Sequence, residues 1–234
     1  MSNGLKGLYK MGGGAFVLSG LLFLSRAILD LMAGAPPSSG VEILAWIASH
    51  SLIQEFQSEI LFFAAACLAP AVVALYRSLA DVDRANAVIG CTIMAVAIPV
   101  SMVLLVVHGR LVYPVYGIRV STPDLAAFVV AIFYGGLHAI GLLMGIATFV
   151  LSLAMKSGAY GKPVVYLGFA TAVADVIGSY PYAIGSVLTL VSQVFFAAWF
   201  IAVGTQLYNM RGNPAAAQHA PEADGARRVV ESRL

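Results

Sequence analysis

The sequence predicts an all-α bundle of transmembrane helices, and its composition and length lead to this fold class. Of the 234 residues, 60% are hydrophobic and only 10% are charged, whereas soluble domains carry about 25% charged residues. The mean hydropathy is +0.90, and the net charge of +2 is too weak and scattered to indicate nucleic-acid binding. Because a helix needs about 20 apolar residues to cross a bilayer, the chain has room for at most six or seven spans and no separate soluble catalytic domain.

The apolar segments predict a transmembrane domain over 13–209, between a cytoplasmic segment at 1–12 and a disordered cytoplasmic tail at 210–234. The first apolar segment contains Arg26 and Asp30 and lacks a small-residue cleavage site, so we interpret it as a retained span. The tail has too few apolar residues to form a core. The six predicted spans lie at about 13–33, 52–75, 87–108, 125–155, 163–180 and 183–208.

The connections between the spans carry turn and helix signals. After span 1, a Pro-Pro pair precedes VEILAWIASH, whose apolar spacing and Trp46 are typical of a short interfacial helix within 34–51. Pro70 and Pro99 lie inside spans 2 and 3 and predict kinks, because neighbouring helices can satisfy the freed carbonyl groups. The SYPYA turn predicts that spans 5 and 6 form an antiparallel hairpin.

The distribution of basic residues predicts the orientation of the protein in a cell membrane. Two of them fall on one side, Arg110 and Arg119. Ten fall on the other side: Lys6, Lys10, Arg77, Arg84, Lys156, Lys162, Arg211, Arg227, Arg228 and Arg233. Because cytoplasmic loops are enriched in Lys and Arg, both termini are predicted to be cytoplasmic, which agrees with an even number of spans.

The C-terminal third contains a series of turn and packing motifs. A span ends in a basic and glycine-rich turn at 156–162, and the next span begins with Tyr166-Leu167-Gly168. The last span closes on Trp199-Phe200, Gly204 and Leu207-Tyr208, and ALYRSLADVDRANAVIG forms a turn between spans 2 and 3. This pattern resembles domain of unknown function family 4386, a group of bacterial and archaeal membrane proteins. The resemblance covers about half of the chain and implies a six-span prokaryotic protein, without implying a reaction.

Ionisable residues inside the predicted spans give the candidate site. Such groups are costly in a bilayer and usually face the bundle interior or water. Counted at about 1.5 Å per residue, they fall in the outer half of the bundle, with His138 the deepest at about 20 Å from the outer end of its span. The candidate ligand-binding residues are Arg26, Asp30, Glu55, Glu59 and Asp175, with His138 as a further contributor.

The spacing and charge of these residues support a binding site but leave alternatives open. Arg26 and Asp30, like Glu55 and Glu59, are four residues apart and share a helix face. The acids outnumber Arg26, so protons, a metal ion, an organic cation or Arg110 must neutralise the excess. Arg26 can instead form a structural ion pair.

Metal binding is one of the open possibilities. Carboxylate oxygens and an imidazole nitrogen suit Zn, Mn, Fe or Cu, so Glu59 and His138 are candidate ligands of a divalent metal cofactor. His138 lies in YGGLHAIG, whose glycines allow close helix approach, and it can equally be a hydrogen-bonded packing residue. Cys67 and Cys91 are spaced unlike a metal or redox pair and are predicted to be core residues.

The sequence therefore predicts an integral membrane protein with an outward-facing polar cavity that binds or transports a small solute or cation. On this hypothesis, the substitution Glu59→Gln abolishes binding. One alternative is a metal-dependent membrane enzyme acting on a lipid-soluble substrate. The other is a non-catalytic subunit or scaffold in a homo-oligomer or membrane complex, for which Gly141 and Gly145 offer a close-packing face. Whether the protein catalyses a reaction stays open at this point.

Overall fold

The computed structural model describes residues 3–210, which are almost entirely helical and contain no β-strand. The long helices are α1 (Asn3–Ala33), α3 (Ser51–Leu79), α4 (Arg84–Val112), α5 (Pro123–Met155), α6 (Gly161–Gly178) and α8 (Ser186–Asn209). Two short helices, α2 (Gly40–Ser49) and α7 (Pro181–Ile184), lie in the connections. The predicted all-helical class is confirmed.

Five of these helices are long and apolar enough to cross a membrane: α1, α3, α4, α5 and α8. They identify a multi-pass membrane protein. α6 is not among the five. It has 18 residues and carries Lys162 and Asp175 within that length.

The six long helices form a closed ring in which each packs against two neighbours. The order around the ring is α1, α3, α4, α5, α6 and α8, and α8 packs back against α1. Helices that follow one another along the chain are therefore neighbours in space. The main hydrophobic core lies toward the end of the bundle that holds the α3–α4 and α5–α6 connections. It includes Leu75, Leu151, Trp199 and Phe200.

Glycines allow the first and last helices to cross closely. A Cβ atom added at Gly13 would lie 2.6 Å from the carbonyl oxygen of Gly204 and 2.7 Å from the backbone nitrogen of Tyr208. A Cβ atom added at Gly204 would in turn lie 2.6 Å from the carbonyl oxygen of Gly13. Small residues at such crossings let helix backbones pack in direct contact, and here they close the ring.

The predicted helix after span 1 is present as α2. Ser39 caps its N-terminus by accepting a hydrogen bond from the backbone N–H of Glu42. Ile43, Trp46 and Ile47 bury one face, which packs on α5, and the indole N–H of Trp46 donates to the carbonyl of Ala33 at 2.8 Å. α2 thereby fastens the end of α1 to α5.

The helix boundaries differ from the predicted spans at both ends of the chain. α1 begins at Asn3, so the helix continues through most of the predicted N-terminal segment, and Tyr9 packs into the main core. Between α6 and α8, the predicted tight turn contains the single-turn helix α7, which begins with Pro181 and is followed by Gly185 at φ 79°. The predicted tail, apart from Met210, lies outside the described residues.

Candidate functional site

A cavity of about 410 Å³ lies inside the ring of helices, and all six long helices contribute to its wall. Its wall includes residues 34–36 after α1 and Pro181 and Tyr182 between α6 and α8, so it extends to the end of the bundle that holds these connections. Most of its lining is apolar. Its wall contains four charged or imidazole side chains and two tyrosines: Arg26, Asp30, His138, Asp175, Tyr134 and Tyr182.

Arg26 and Asp30 form an ion pair in the cavity wall. Nη2 of Arg26 lies 2.8 Å from Oδ2 of Asp30, and the side chains are 12% and 29% exposed. The two residues are one helical turn apart on α1, so they meet on the same face of the helix, as the sequence predicted. The Arg26 guanidinium also lies 5.8 Å from the ring centre of Phe133, within the range of a cation–π contact. Their charges therefore compensate each other locally.

Asp175 is the acid in the cavity wall that has no compensating group. Only 4% of its surface is exposed, and neither carboxylate oxygen has a hydrogen-bond partner among the described residues. A buried polar group without a partner costs free energy, and a buried unpaired charge costs considerably more. A ligand that pairs with this carboxylate would remove that cost.

His138 lies beside the end of α6. Its Nδ1 bonds the carbonyl oxygen of Ser179, and its ring packs edge-on against Tyr180 with centres 4.7 Å apart. Because a carbonyl oxygen only accepts hydrogen bonds, Nδ1 must carry the proton. In the neutral ring, Nε2 is then an acceptor.

The unequal lengths of α5 and α6 reverse the predicted depths: His138 lies beside the end of α6, whereas Asp175 lies further in, beside Gly145. His138 is near the middle of α5, yet it contacts the residue that follows the last residue of α6. Counting from helix ends placed His138 much deeper than Asp175. That count took the two helices to end at one surface, whereas α5 extends well beyond the end of α6.

Glu55 and Glu59 do not line the cavity. Glu59 is exposed on the outer side of α3, and its Oε1 accepts a hydrogen bond of 3.2 Å from the hydroxyl of Tyr113, which also contacts the carbonyl oxygen of Glu55 at 3.1 Å. Burial and the neighbouring Glu59 carboxylate raise the pKa of Tyr113 to about 12. The five predicted ligand-binding residues thus divide into two places, with Arg26, Asp30 and Asp175 at the cavity.

The two predicted metal ligands are also separated. His138 lines the cavity and Glu59 does not. Within the described residues, no group of three or more His, Cys, Asp or Glu side chains is arranged to hold a metal ion. The described residues therefore do not bring Glu59 and His138 together as ligands of one metal ion.

A buried polar cluster joins α3 to α4, and the sequence analysis did not identify it. His108 is 2% exposed. Its Nδ1 lies 2.8 Å from Oγ of Ser58, and its Nε2 lies 3.1 Å from Oε1 of Gln54. Since the amide oxygen accepts, Nε2 carries the proton and Nδ1 accepts from the serine hydroxyl. The ring stacks on Phe133 at 4.2 Å, and Phe133 in turn contacts Arg26.

The close-packing face at Gly141 and Gly145 is used inside the chain. A Cβ atom added at Gly141 would lie 3.0 Å from Cβ of Ser179, and one at Gly145 would lie 3.1 Å from Val176. α6 therefore occupies this face of α5. The face that the scaffold hypothesis assigned to a partner is covered by the protein's own helix.

No family model, curated protein or solved structure matches this chain. The resemblance to domain of unknown function family 4386 stays a prediction.

Proposed function

We propose that this protein spans the cell membrane six times, with both termini in the cytoplasm, and that it binds and transports a small organic cation. α6 serves as the fifth span. At 1.5 Å per residue its 18 residues extend about 27 Å, close to the roughly 30 Å of a hydrocarbon core. Its place in the ring between α5 and α8 supports the same reading.

The span count can be tested through the position of the C-terminus. If α6 crosses the membrane, both termini lie on one side; if it does not, they lie on opposite sides. We expect a periplasmic-activity reporter fused after Leu234 to be inactive and the same reporter inserted after Gly117, in the connection between α4 and α5, to be active. An active C-terminal fusion would refute the six-span arrangement.

The unpaired carboxyl group of Asp175 is the observation that carries the cation proposal. Arg26 is the only Lys or Arg in the described cavity wall, and it is already paired with Asp30. A cationic ligand would restore charge balance beside Asp175. The surrounding wall contains Phe23, Leu68 and other apolar residues, which suit the apolar body of an organic cation.

The direct test is binding to purified protein in lipid nanodiscs. Benzylammonium and benzyltrimethylammonium are the probes, benzyl alcohol is the neutral control, and empty nanodiscs correct for partition into lipid. We expect at least one of the cations to bind and the alcohol not to bind comparably. Asp175→Asn should weaken binding at least about 30-fold, because loss of one partner of a buried charge pair costs about 2 kcal/mol or more.

Glu59→Gln provides the matched control. It removes an acid from the same bundle at a position outside the cavity, so we expect cation affinity to stay within about twofold of the wild type. Equal losses in Asp175→Asn and Glu59→Gln would mean that overall charge, not the cavity, attracts the cation. Absence of binding by both cations would refute the proposed function.

Transport is tested after reconstitution into liposomes. Uptake of the bound cation should require the protein, and Asp175→Asn should reduce it while leaving the amount of inserted protein unchanged. Binding without uptake would leave a binding protein and remove the transport part of the proposal.

A further inference from the structure

The helices that pack against α6 bring no permanent positive charge to Asp175. These helices are α5, α7 and α8. α8 contains no Asp, Glu, Lys, Arg, His or Cys, and the titratable side chain of α7 is Tyr182. α5 meets Asp175 at Gly145, where an added Cβ atom would lie 3.5 Å from Cβ of Asp175. On α6 itself, Lys162 lies about 20 Å from Asp175 at 1.5 Å per residue.

The other ionisable groups of the cavity wall are already engaged or uncharged. Arg26 forms its ion pair with Asp30, so these two charges compensate each other. His138 gives its Nδ1 proton to the carbonyl oxygen of Ser179, at the end of α6 and not beside Asp175. Tyr134 is neutral in its protonated form. None of these groups supplies a free positive charge.

The wall also contains neutral polar side chains, which can bond a ligand but cannot cancel a charge. Ser101 and Thr189 donate their hydroxyl protons to carbonyl oxygens of their own helices. Gln193 adds an amide from α8. The carboxyl group of Asp175, only 4% of whose residue surface is exposed, has no bond to any of them.

A carboxyl group in this position can be neutralised in two ways. A cation can pair with the carboxylate, or a proton can bind it and make it a neutral acid. A buried charge without either partner is strongly unfavourable. Because both partners use the same oxygen atoms of Asp175, each must leave before the other can bind.

We propose that a proton occupies the carboxyl group of Asp175 whenever no cation is bound there, so that the protein exchanges cations for protons. This inference rests on the proposed cation function and specifies how transport is driven. When a cation enters, the O–H bond of the acid breaks, its electron pair stays on the carboxylate and the proton leaves to water. When the cation leaves, a proton from water restores that bond. One monovalent cation moves against one proton, so a complete cycle transfers no net charge.

The competition is measured by calorimetry with benzylammonium and benzyltrimethylammonium on the protein in nanodiscs between pH 5 and pH 8. Benzylammonium keeps its own proton in this range, as lysine does. We expect affinity to rise with pH, by about tenfold between pH 5 and pH 6, because binding of the two ligands is linked. Titrations at pH 5.5 in buffers of different ionisation enthalpy should show close to one proton released per cation bound.

His138→Phe is the control for the source of this proton, because histidine also titrates near neutral pH and His138 lines the cavity. Phenylalanine keeps an aromatic ring beside Tyr180 and has no group that titrates. We expect the variant to retain the pH dependence and the released proton. Their loss in this variant, with the wild-type melting profile, would overturn the assignment to Asp175.

Infrared spectra test the proton directly and do not require a bound probe. Asparagine has nearly the shape of a protonated aspartic acid, so Asp175→Asn should keep the wild-type melting profile. At pH 5.5 the wild type should show the carbonyl band of a protonated carboxyl group that Asp175→Asn lacks, and the cation should remove this band. Identical carboxyl bands in the two proteins would overturn the inference.

The exchange itself is tested in proteoliposomes, with uptake into protein-free liposomes subtracted. An interior more acidic than the medium should drive accumulation of the bound probe, and a membrane potential set by potassium and valinomycin at equal pH should not. Accumulation that follows the potential instead would overturn the exchange. Binding that is independent of pH and releases no proton would overturn the inference and leave the proposed cation binding intact. Binding of neither probe would overturn both.

Discussion

The ion pair between Arg26 and Asp30 leads to a quantitative prediction about stability. Asp30→Asn removes the carboxylate and leaves the Arg26 guanidinium, whose side chain is 12% exposed, without its counter-ion. Breaking a buried pair in this way costs about 3–5 kcal/mol. Asp30 is itself 29% exposed, and the contact with Phe133 at 5.8 Å still favours the cation. We therefore expect a loss near the lower limit, about 3 kcal/mol.

The free energy of unfolding can be measured by titrating the purified protein in mixed micelles with SDS. A thiol-reactive fluorophore reports the transition, because Cys91 is 5% exposed in the folded protein and becomes accessible on unfolding. The titration uses a Cys67→Ala background, in which Cys91 is the one remaining cysteine and therefore the source of the signal. Asp30→Asn should move the transition to lower SDS with an unchanged slope.

A second ion pair with the same spacing provides the control. Arg77 and Asp81 are also four residues apart, but they are 4.0 Å apart and 50% and 84% exposed. Exposed pairs contribute about 0.2–1 kcal/mol, so Asp81→Asn should cost under about 1 kcal/mol. In an Arg26→Met background, Asp30→Asn should cost almost nothing, since the cation that needs the carboxylate is gone. Equal effects of Asp30→Asn and Asp81→Asn, or a full loss in the Arg26→Met background, would refute this reasoning.

Two further predictions concern helix packing and the buried polar cluster. Gly13→Ala should destabilise the protein by about 1–3 kcal/mol in the same SDS titration, because the new methyl group meets backbone atoms of α8. The control Gly14→Ala should be neutral or stabilising, because nothing lies within 4 Å of the new atom. Equal effects of the two substitutions would contradict the close crossing. Ser58→Ala should lower the free energy of unfolding by about 1 kcal/mol, because it leaves Nδ1 of His108 without its donor. NMR should show a change in the chemical shifts of the His108 imidazole nitrogens. Unchanged shifts would contradict this hydrogen bond.

The sequence predicts the helical class and the connecting helix α2 because both depend on local pattern. Apolar length identifies the membrane helices, and a Pro-Pro pair followed by periodic apolar positions and Trp46 identifies α2. The pair of Arg26 and Asp30 is equally local, since it depends on spacing along one helix. Features of this kind can be predicted without knowing which helices become neighbours.

The face that α3 turns inward was less evident, although the sequence contains a signal for it. Leu75, Leu68 and Leu61 are buried at intervals of seven residues, and continuing this interval leads to Gln54. Glu55 and Glu59 lie beside this series on the outer face. The charge of the two glutamates led to their prediction as site residues, whereas the seven-residue interval of the leucines indicates that Gln54 faces inward. The hydrogen-bond partner of Gln54 is His108 on α4. This pairing cannot be predicted without knowing that α3 and α4 are neighbours in the ring.

The contact between His138 and the end of α6 depends on how α5 and α6 pack side by side and could not be obtained by counting along either helix. α6 is short, so its last turn lies beside the middle of α5, and the single-turn α7 takes the chain on to α8. A histidine in the middle of α5 is thereby placed beside the end of α6, while Asp175 lies further in, beside Gly145. The length of α6 before Asp175 sets the level at which its carboxyl group meets the cavity wall. An insertion of four residues after Ala172 would add about 6 Å to α6 and should abolish cation binding even if every cavity side chain is retained.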